Sequence, residues 1–282
     1  MDGIRQKVSL KNELGRALLG EFAGTLVLVF LGTSAVAQSK VVGAGGNEMI
    51  GVNTGFALAI AFGVAISAKL SGGHINPAVS FMFLTFRQLA PVRFILYVLA
   101  QLIGAFCGAA LTYLFYHQAI NAFDGGKHAV EGAKATAGIF ASYPAAHLSN
   151  FGGFIDQVLA TAVFCMLIAH LTDKRNAYPA WVVPFLVGLS FFAVGLCFAG
   201  NCGYPCNPAR DFGPRLFTFL MGYGGAVFTV WWWVPIVAPF VGALVGAWFY
   251  QFAVGFHTPA DEVDKYVIVG ATTQELKPLA KE

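Results

Sequence analysis

The sequence predicts an all-α integral membrane protein of six transmembrane helices plus two re-entrant half-helices, in two inverted three-helix repeats. Three observations predict it. Of the 282 residues, 57% are hydrophobic and only 11% charged, and the apolar runs reach the roughly 20 residues that a helix needs to cross a bilayer. The tripeptide Asn-Pro-Ala occurs twice, as Asn76-Pro77-Ala78 and Asn207-Pro208-Ala209, each time beside a Gly-containing break. Two further local likenesses recur in the same order at offsets of 136 and 138 residues, beside 131 for the tripeptide.

The elements follow in order. Residues 1–14 form a tail, and the first span is predicted over 15–37. Glu21 lies inside that long apolar run and no small-residue cleavage site follows a short apolar core, so the segment reads as a retained anchor rather than a removable signal peptide. The second span is predicted over 50–70, the third over 93–116, the fourth over 152–172, the fifth over 180–200 and the sixth over 228–253. The two stretches after the Asn-Pro-Ala copies, 77–87 and 208–220, are helical but too short to cross alone. In each, Asn is placed to cap and Pro to occupy the first helical position. Trp231, Trp232 and Trp233, at the start of the last span, predict part of an aromatic interface belt. A tail over 254–282 closes the chain.

Lys and Arg are unevenly distributed. With the N-terminus assigned to the cytoplasm, its face receives Arg5, Lys7, Lys11, Arg16, Lys69, Arg87, Arg93, Lys174, Arg175, Lys265, Lys277 and Lys281. The other face keeps Lys40, Lys127 and Lys134, with Arg210 and Arg215 in the second re-entrant segment. The positive-inside rule therefore places both termini in the cytoplasm. The five cysteines are odd in number and lie mostly in predicted helices. They read as small apolar residues, with neither a disulfide framework nor a zinc site.

Glu21-Phe22-Ala23-Gly24-Thr25 matches Gln157-Val158-Leu159-Ala160-Thr161, and Gly104-Ala105-Phe106-Cys107-Gly108-Ala109 matches Gly242-Ala243-Leu244-Val245-Gly246-Ala247. A duplicated unit of three spans and one half-helix has an odd number of crossings, so its second copy is upside down. The half-helices then enter from opposite faces, and their N-termini, each worth about half a positive charge, meet near the midplane. Non-helical backbone at that depth must be buried in protein or line a wet cavity. Gly72, Gly73, Gly200 and Gly203 are the residues expected to make the turns. The small-residue pairs Gly20/Gly24, Gly104/Gly108 and Gly242/Gly246 predict close helix crossings.

These residues resemble the aquaporin, or major intrinsic protein, family, over about residues 14 to 253. The string Asn207-Pro208-Ala209-Arg210-Asp211-Phe212-Gly213-Pro214-Arg215, the pair Pro235-Ile236 and the outer loop from His117 to Gly152, including Thr136-Ala137-Gly138-Ile139-Phe140-Ala141, resemble its aquaglyceroporin branch. The resemblance implies a channel domain over 15–253 and a selectivity constriction of Phe56, Gly195, Tyr204 and Arg210. Gly195 stands where water-selective members carry His, which leaves room for a wider solute. Glu21 matches the family's buried loop-supporting acid, but its repeat partner is Gln157, a departure expected to preserve the support because an amide also accepts hydrogen bonds. Cys206 and Pro205, before the second motif, are further departures whose effect on the pore the sequence leaves open.

The implied function is passive permeation of glycerol, water and other small neutral solutes, without ions or protons, by a homotetramer in the plasma membrane. No cofactor and no nucleic-acid partner are expected. Stripping water from a glycerol hydroxyl costs roughly 4–8 kcal/mol on an alkane scale, so the pore must replace those bonds. The expected acceptors are the carbonyls of Gly72, Gly73 and His74 and of Asn201, Cys202 and Gly203, and the expected donors are Arg210 and the Asn76 and Asn207 amides. Phe56 and Tyr204 are expected to form the apolar corner for the carbon skeleton. Arg210 carries a charge into the membrane, which calls for a partner or a wet cavity; a structural ion pair with Asp211 is the competing reading, and Asp211 is also a candidate loop support. His74 reads as a packed loop residue. Catalysis is disfavoured because no nucleophile, base and orienting group converge at recognisable spacing, and coupled transport because membrane acids are few.

Overall fold

A computed structural model describes residues 1–43, 48–259, 266–267 and 277–278. Its helices are α1 (Asp2–Val8), α2 (Glu13–Ala37), α3 (Glu48–Ser71), α4 (Pro77–Thr85), α5 (Pro91–Asp124), α6 (Asn150–Thr172), α7 (Val183–Cys202), α8 (Pro208–Thr218) and α9 (Val234–Ala253). Six of these, α2, α3, α5, α6, α7 and α9, are long and apolar enough to span a membrane, and α4 and α8 are the two half-helices. A two-residue antiparallel ladder joins Tyr266–Val267 to Lys277–Pro278. Most of the predicted C-terminal tail, 254–282, including Lys265 and Lys281, lies outside the described residues.

Local chemistry sets the boundaries. Asn12 accepts a hydrogen bond from the Gly15 amide at 3.1 Å and starts α2; Ser149 does the same for Gly152 at 3.1 Å and starts α6. Pro91 opens α5, which runs past its predicted end at 116 because nothing breaks it before Gly125, left-handed at φ 69°. Its last turns stay helical by packing inward at Ile120 and Asp124. The last span begins later than predicted, at Val234, because residues 225–228 form a 3-10 turn and the tryptophans form the approach to α9.

Trp231 corrects the interface-belt reading. It is buried, donates from its indole to the Ser142 carbonyl at 3.1 Å, and packs beside Val234 and Ala238; Trp232 and Trp233 are the partly exposed members. Gly200 is a second correction. It lies inside α7, which continues to Cys202, so Gly203 alone makes the turn, at φ 71°.

α2 packs on α3 and α5, α6 packs on α7 and α9, and α3 meets α7 between the two halves. The repeat is visible in atomic contacts. A Cβ at Gly104 or Gly108 would run into the Phe22 or Leu26 carbonyl of α2, and one at Gly242 or Gly246 would run into the Val158 or Ala162 carbonyl of α6. Backbones this close permit dispersion contacts along the crossing in the absence of a hydrophobic driving force between helices in lipid. Outward-facing Leu58, Phe62, Ile66, Ile95, Leu99 and Leu189 are exposed, as a bilayer-facing surface requires. The half-helices α4 and α8 sit inside this shell, touching each other and packing on α5 and α9.

Candidate functional site

The two half-helices are joined head to head by their asparagines. Asn76 Oδ1 accepts from the Ala78 amide at 2.8 Å, and Asn207 Oδ1 accepts from the Ala209 and Arg210 amides, both at 3.1 Å. Each side chain thereby caps its own helix and fixes its carboxamide. The free amino groups cross over: Asn76 Nδ2 donates to the Cys206 carbonyl at 2.8 Å and Asn207 Nδ2 to the Ile75 carbonyl at 2.9 Å. The accepting residues Ile75 and Cys206 both hold φ of 44°, a left-handed conformation unfavourable for a side chain with a Cβ. Cys206 is fully buried, so it tightens the joint between the loops rather than the lumen.

The loops before the helices differ in their supports. Glu21 is buried and accepts from the His74 amide at 3.0 Å on Oε1 and from the Ile75 amide at 2.7 Å on Oε2, while Gln101 donates to Oε2 at 2.7 Å. Gln157 departs from the expectation that it would accept in the same way. Its Nε2 donates to the Gly203 carbonyl at 3.2 Å, to Cys202 Sγ at 3.1 Å and to Asp156 Oδ1 at 2.8 Å. His74 stacks on Phe83 with ring centroids 4.5 Å apart and meets Ser80 Oγ at 3.2 Å, consistent with a packed loop residue.

Two cavities run through the bundle. The inner one is walled by Gly72, Gly73, His74, Asn76 and Asn207 on its polar side, and by residues such as Ile60, Val64, Phe164 and Val187 on its apolar side. The outer one includes Ser142, Tyr143, Cys202, Gly203 and Tyr204. Phe56, Phe191, Pro205 and Arg210 line both, and so form the partition between them. Asn201 lines neither. It belongs to the last turn of α7, and its carbonyl accepts from the Ala145 amide at 2.8 Å, which removes it from the expected acceptor wall.

At the partition the Arg210 guanidinium lies 4.8 Å from the Phe56 ring centroid and donates to the Phe140 carbonyl at 2.6 Å. Asp211 is not its partner. That carboxylate pairs with Arg215 at 2.8 Å, both side chains fully buried, and accepts from the Ser142 amide at 2.8 Å and hydroxyl at 2.6 Å. Asp211 therefore ties α8 to the outer loop, whose Phe140 carbonyl in turn orients Arg210.

The volume that Gly195 leaves free is taken by the protein itself. A Cβ there would sit 2.8 Å from both Tyr204 Cζ and Asn53 Oδ1, and Gly195 lines neither cavity. The Tyr204 ring occupies that space, with its hydroxyl donating to Asn53 Oδ1. Sequence reasoning missed Phe191, whose ring centroid is 4.9 Å from that of Tyr204 and 6.3 Å from that of Phe56. It also missed Asn53. The signal was helical spacing: Phe191 is four residues before Gly195 and Asn53 three before Phe56, so each shares a face with a residue already singled out.

The family model described as Major intrinsic protein matches residues 8–250. The chain belongs to this family. Among relatives in the major intrinsic protein family, human Aquaporin-10 is 42% identical over 260 residues, covering 91% of this chain and 86% of that protein. Human Aquaporin-9 is 39% identical over 260 residues, 91% of this chain and 88% of its own. Aquaglyceroporin-2 from Rhizophagus irregularis is 44% identical over 235 residues, 82% of this chain and 74% of its own. The X-ray structure of the aquaglyceroporin from Plasmodium falciparum superposes with a TM-score of 0.77 at 32% identity, covering 84% of this chain and 96% of that one.

Proposed function

We propose that this major intrinsic protein is a passive channel for glycerol, water and other small neutral solutes, excluding ions and protons. The observation that carries the reading is the two-sided lining of the two cavities and of the partition between them. Arg210 and the Asn76 and Asn207 amides offer donors and the Gly72, Gly73, His74 and Gly203 carbonyls offer acceptors, opposite the Phe56 and Phe191 rings. A polyol has the same two sides, a row of hydroxyls and a carbon skeleton, so its water is replaced on one side while its skeleton meets apolar rings on the other. Cations are opposed by the Arg210 charge and by two half-helix N-termini facing each other, and the crossed asparagines interrupt a continuous chain of waters at the same level.

The proposal includes a homotetramer with one pore per chain, residence in the plasma membrane and cytoplasmic termini. The family resemblance supports the first, and the concentration of Lys and Arg on the N-terminal face supports the last. Stopped-flow light scattering on proteoliposomes, with water and glycerol recorded in parallel, tests the function. Fast flux of both is expected. Fast water with glycerol at the lipid baseline would identify a water channel instead, with the Tyr204 ring in the Gly195 space as the closing element; baseline values for both would overturn the channel reading.

A further inference from the structure

The inner and outer half-loops share a register. Asn76 corresponds to Asn207, Ile75 and Cys206 both have φ 44°, and Gly72 at φ 92° corresponds to Gly203 at φ 71°. By the same count His74 corresponds to Pro205. In the inner loop the Glu21 carboxylate is satisfied by three donors: the amides of His74 and Ile75 and the side chain of Gln101. Two of the three have no equivalent outside. Pro205 has no N–H, and the position that matches Gln101, counted from the Gly104/Gly242 pair, is Pro239 on α9.

A carboxylate at 157 would therefore be an acceptor among acceptors. The groups now within hydrogen-bond distance of Gln157 Nε2 are the Gly203 carbonyl, the Asp156 carboxylate and Cys202 Sγ. An amide can donate to them and a carboxylate cannot. Gln157 is fully buried, and among the described residues its Oε1 has no partner, which is what the loss of the residue-205 amide leaves behind.

We infer that Gln157 is a positioning residue matched to Pro205: its amide, by donating to Gly203, holds the wall of the outer cavity that a proline-containing half-loop cannot secure through its own N–H groups. The pair acts as a unit. A glutamate at 157 is incompatible with proline at 205 and becomes compatible once that residue regains its N–H. Pro205 also lines the partition, so the match sets the shape of the lumen as well as the stability of the loop.

The test is a double-mutant cycle on the full chain with Gln157→Glu, Pro205→Ala and the combination, reading folded monodisperse protein in detergent and the water-to-glycerol permeability ratio in proteoliposomes. Gln157→Glu is expected to lower folded yield and glycerol permeability at least fivefold and to shift the ratio. Pro205→Ala alone is expected to leave the folded yield near that of the unsubstituted protein while shifting the permeability ratio, because residue 205 lines the partition, and added to Gln157→Glu it is expected to recover at least half of the lost yield. A Gln157→Glu protein indistinguishable from the unsubstituted one, or a combination no better than Gln157→Glu alone, overturns the inference. The flux readout rests on the channel reading, whereas the folded yield does not; baseline flux in the unsubstituted protein together with a rescued yield would sink the function and keep the pairing.

Discussion

The inner half-loop, residues 72–85, and the outer one, residues 203–218, reach the same backbone shape by different means. The inner is held from within the bundle by Glu21, Gln101 and Ser80, which form one buried network reaching His74. The outer is held from outside by a loop: Asp211, at the position of Ser80, pairs with Arg215 and binds Ser142, while Arg215 donates to the Ser142 carbonyl at 2.6 Å and the Val227 carbonyl at 2.7 Å. The shape itself, an Asn cap and a left-handed residue before it, is common to both. What surrounds it is free to differ, because each support only has to satisfy the polar groups that the loop leaves unpaired. The difference places the charged groups, Arg210, Asp211 and Arg215, on the outer half-helix alone.

Asp211→Ala should have the largest effect. It leaves Arg215 buried without its partner, a change of the kind that costs about 3–5 kcal/mol, and it frees the outer loop whose Phe140 carbonyl orients Arg210. Thermal unfolding in detergent and glycerol flux should both fall; a melting profile like that of the unsubstituted protein would show that the outer loop does not hold its half-helix. Glu21→Ala tests the opposite support. Two buried amides lose their acceptor, at about 1–3 kcal/mol each, and glycerol and water permeability should drop together, whereas a loss confined to glycerol would mean that Glu21 acts on the constriction rather than on the loop.

Arg210→Ala should leave the fold largely intact and remove solute discrimination. Flux of polyols longer than glycerol should rise relative to glycerol, and proton leak under a pH gradient should become measurable; unchanged discrimination in folded protein would refute the role given to Arg210. Tyr204→Phe removes the bond to Asn53 and should cost about 1 kcal/mol with a small shift in the water-to-glycerol ratio, read on the same vesicles.

The smallest effect is expected far from both half-loops. Asp173, after α6, accepts from Arg175 at 2.6 Å and from the Tyr250 hydroxyl at 2.9 Å, and the Arg175 hydrogen bond holds its carboxyl below the usual aspartate range. A depressed folded value means that the contribution is fully present above the unfolded pKa and is lost as pH falls through the folded one. Because Arg175 is 29% exposed, the pair is worth about 0.5–1 kcal/mol. Asp173→Asn should lower the melting temperature slightly at neutral pH and not at all in acid, a convergence that melts at the two pH values would check.

The spans, the inversion and the two capped half-helices were legible because they depend on patterns within a short stretch of chain: runs long enough for a bilayer, Asn before Pro, and glycines spaced to face a neighbouring helix. The same locality explains the errors at Gly200, Trp231 and the end of α5. Each has a residue type that suggests a turn or an interface, and each was decided by what packs against it. Phe56, Arg210 and the asparagines could be found from their distance to a motif, whereas Phe191 was marked only by its helical spacing from Gly195, a weaker signal because an aromatic in an apolar helix reads the same whether it faces lipid or lumen until its neighbours are known.

Membrane class, repeat and the identity of the joining asparagines thus followed from covalent order and hydropathy alone. The fate of the Gly195 space, the partners of Asp211 and the direction of the Gln157 hydrogen bonds depended on groups as far apart in the chain as Gly195 and Asn53, Asp211 and Ser142, and Gln157 and Gly203. Whether an amide donates or accepts, and whether a void stays open, is settled by which atoms arrive beside it, and only the folded bundle brings those atoms together.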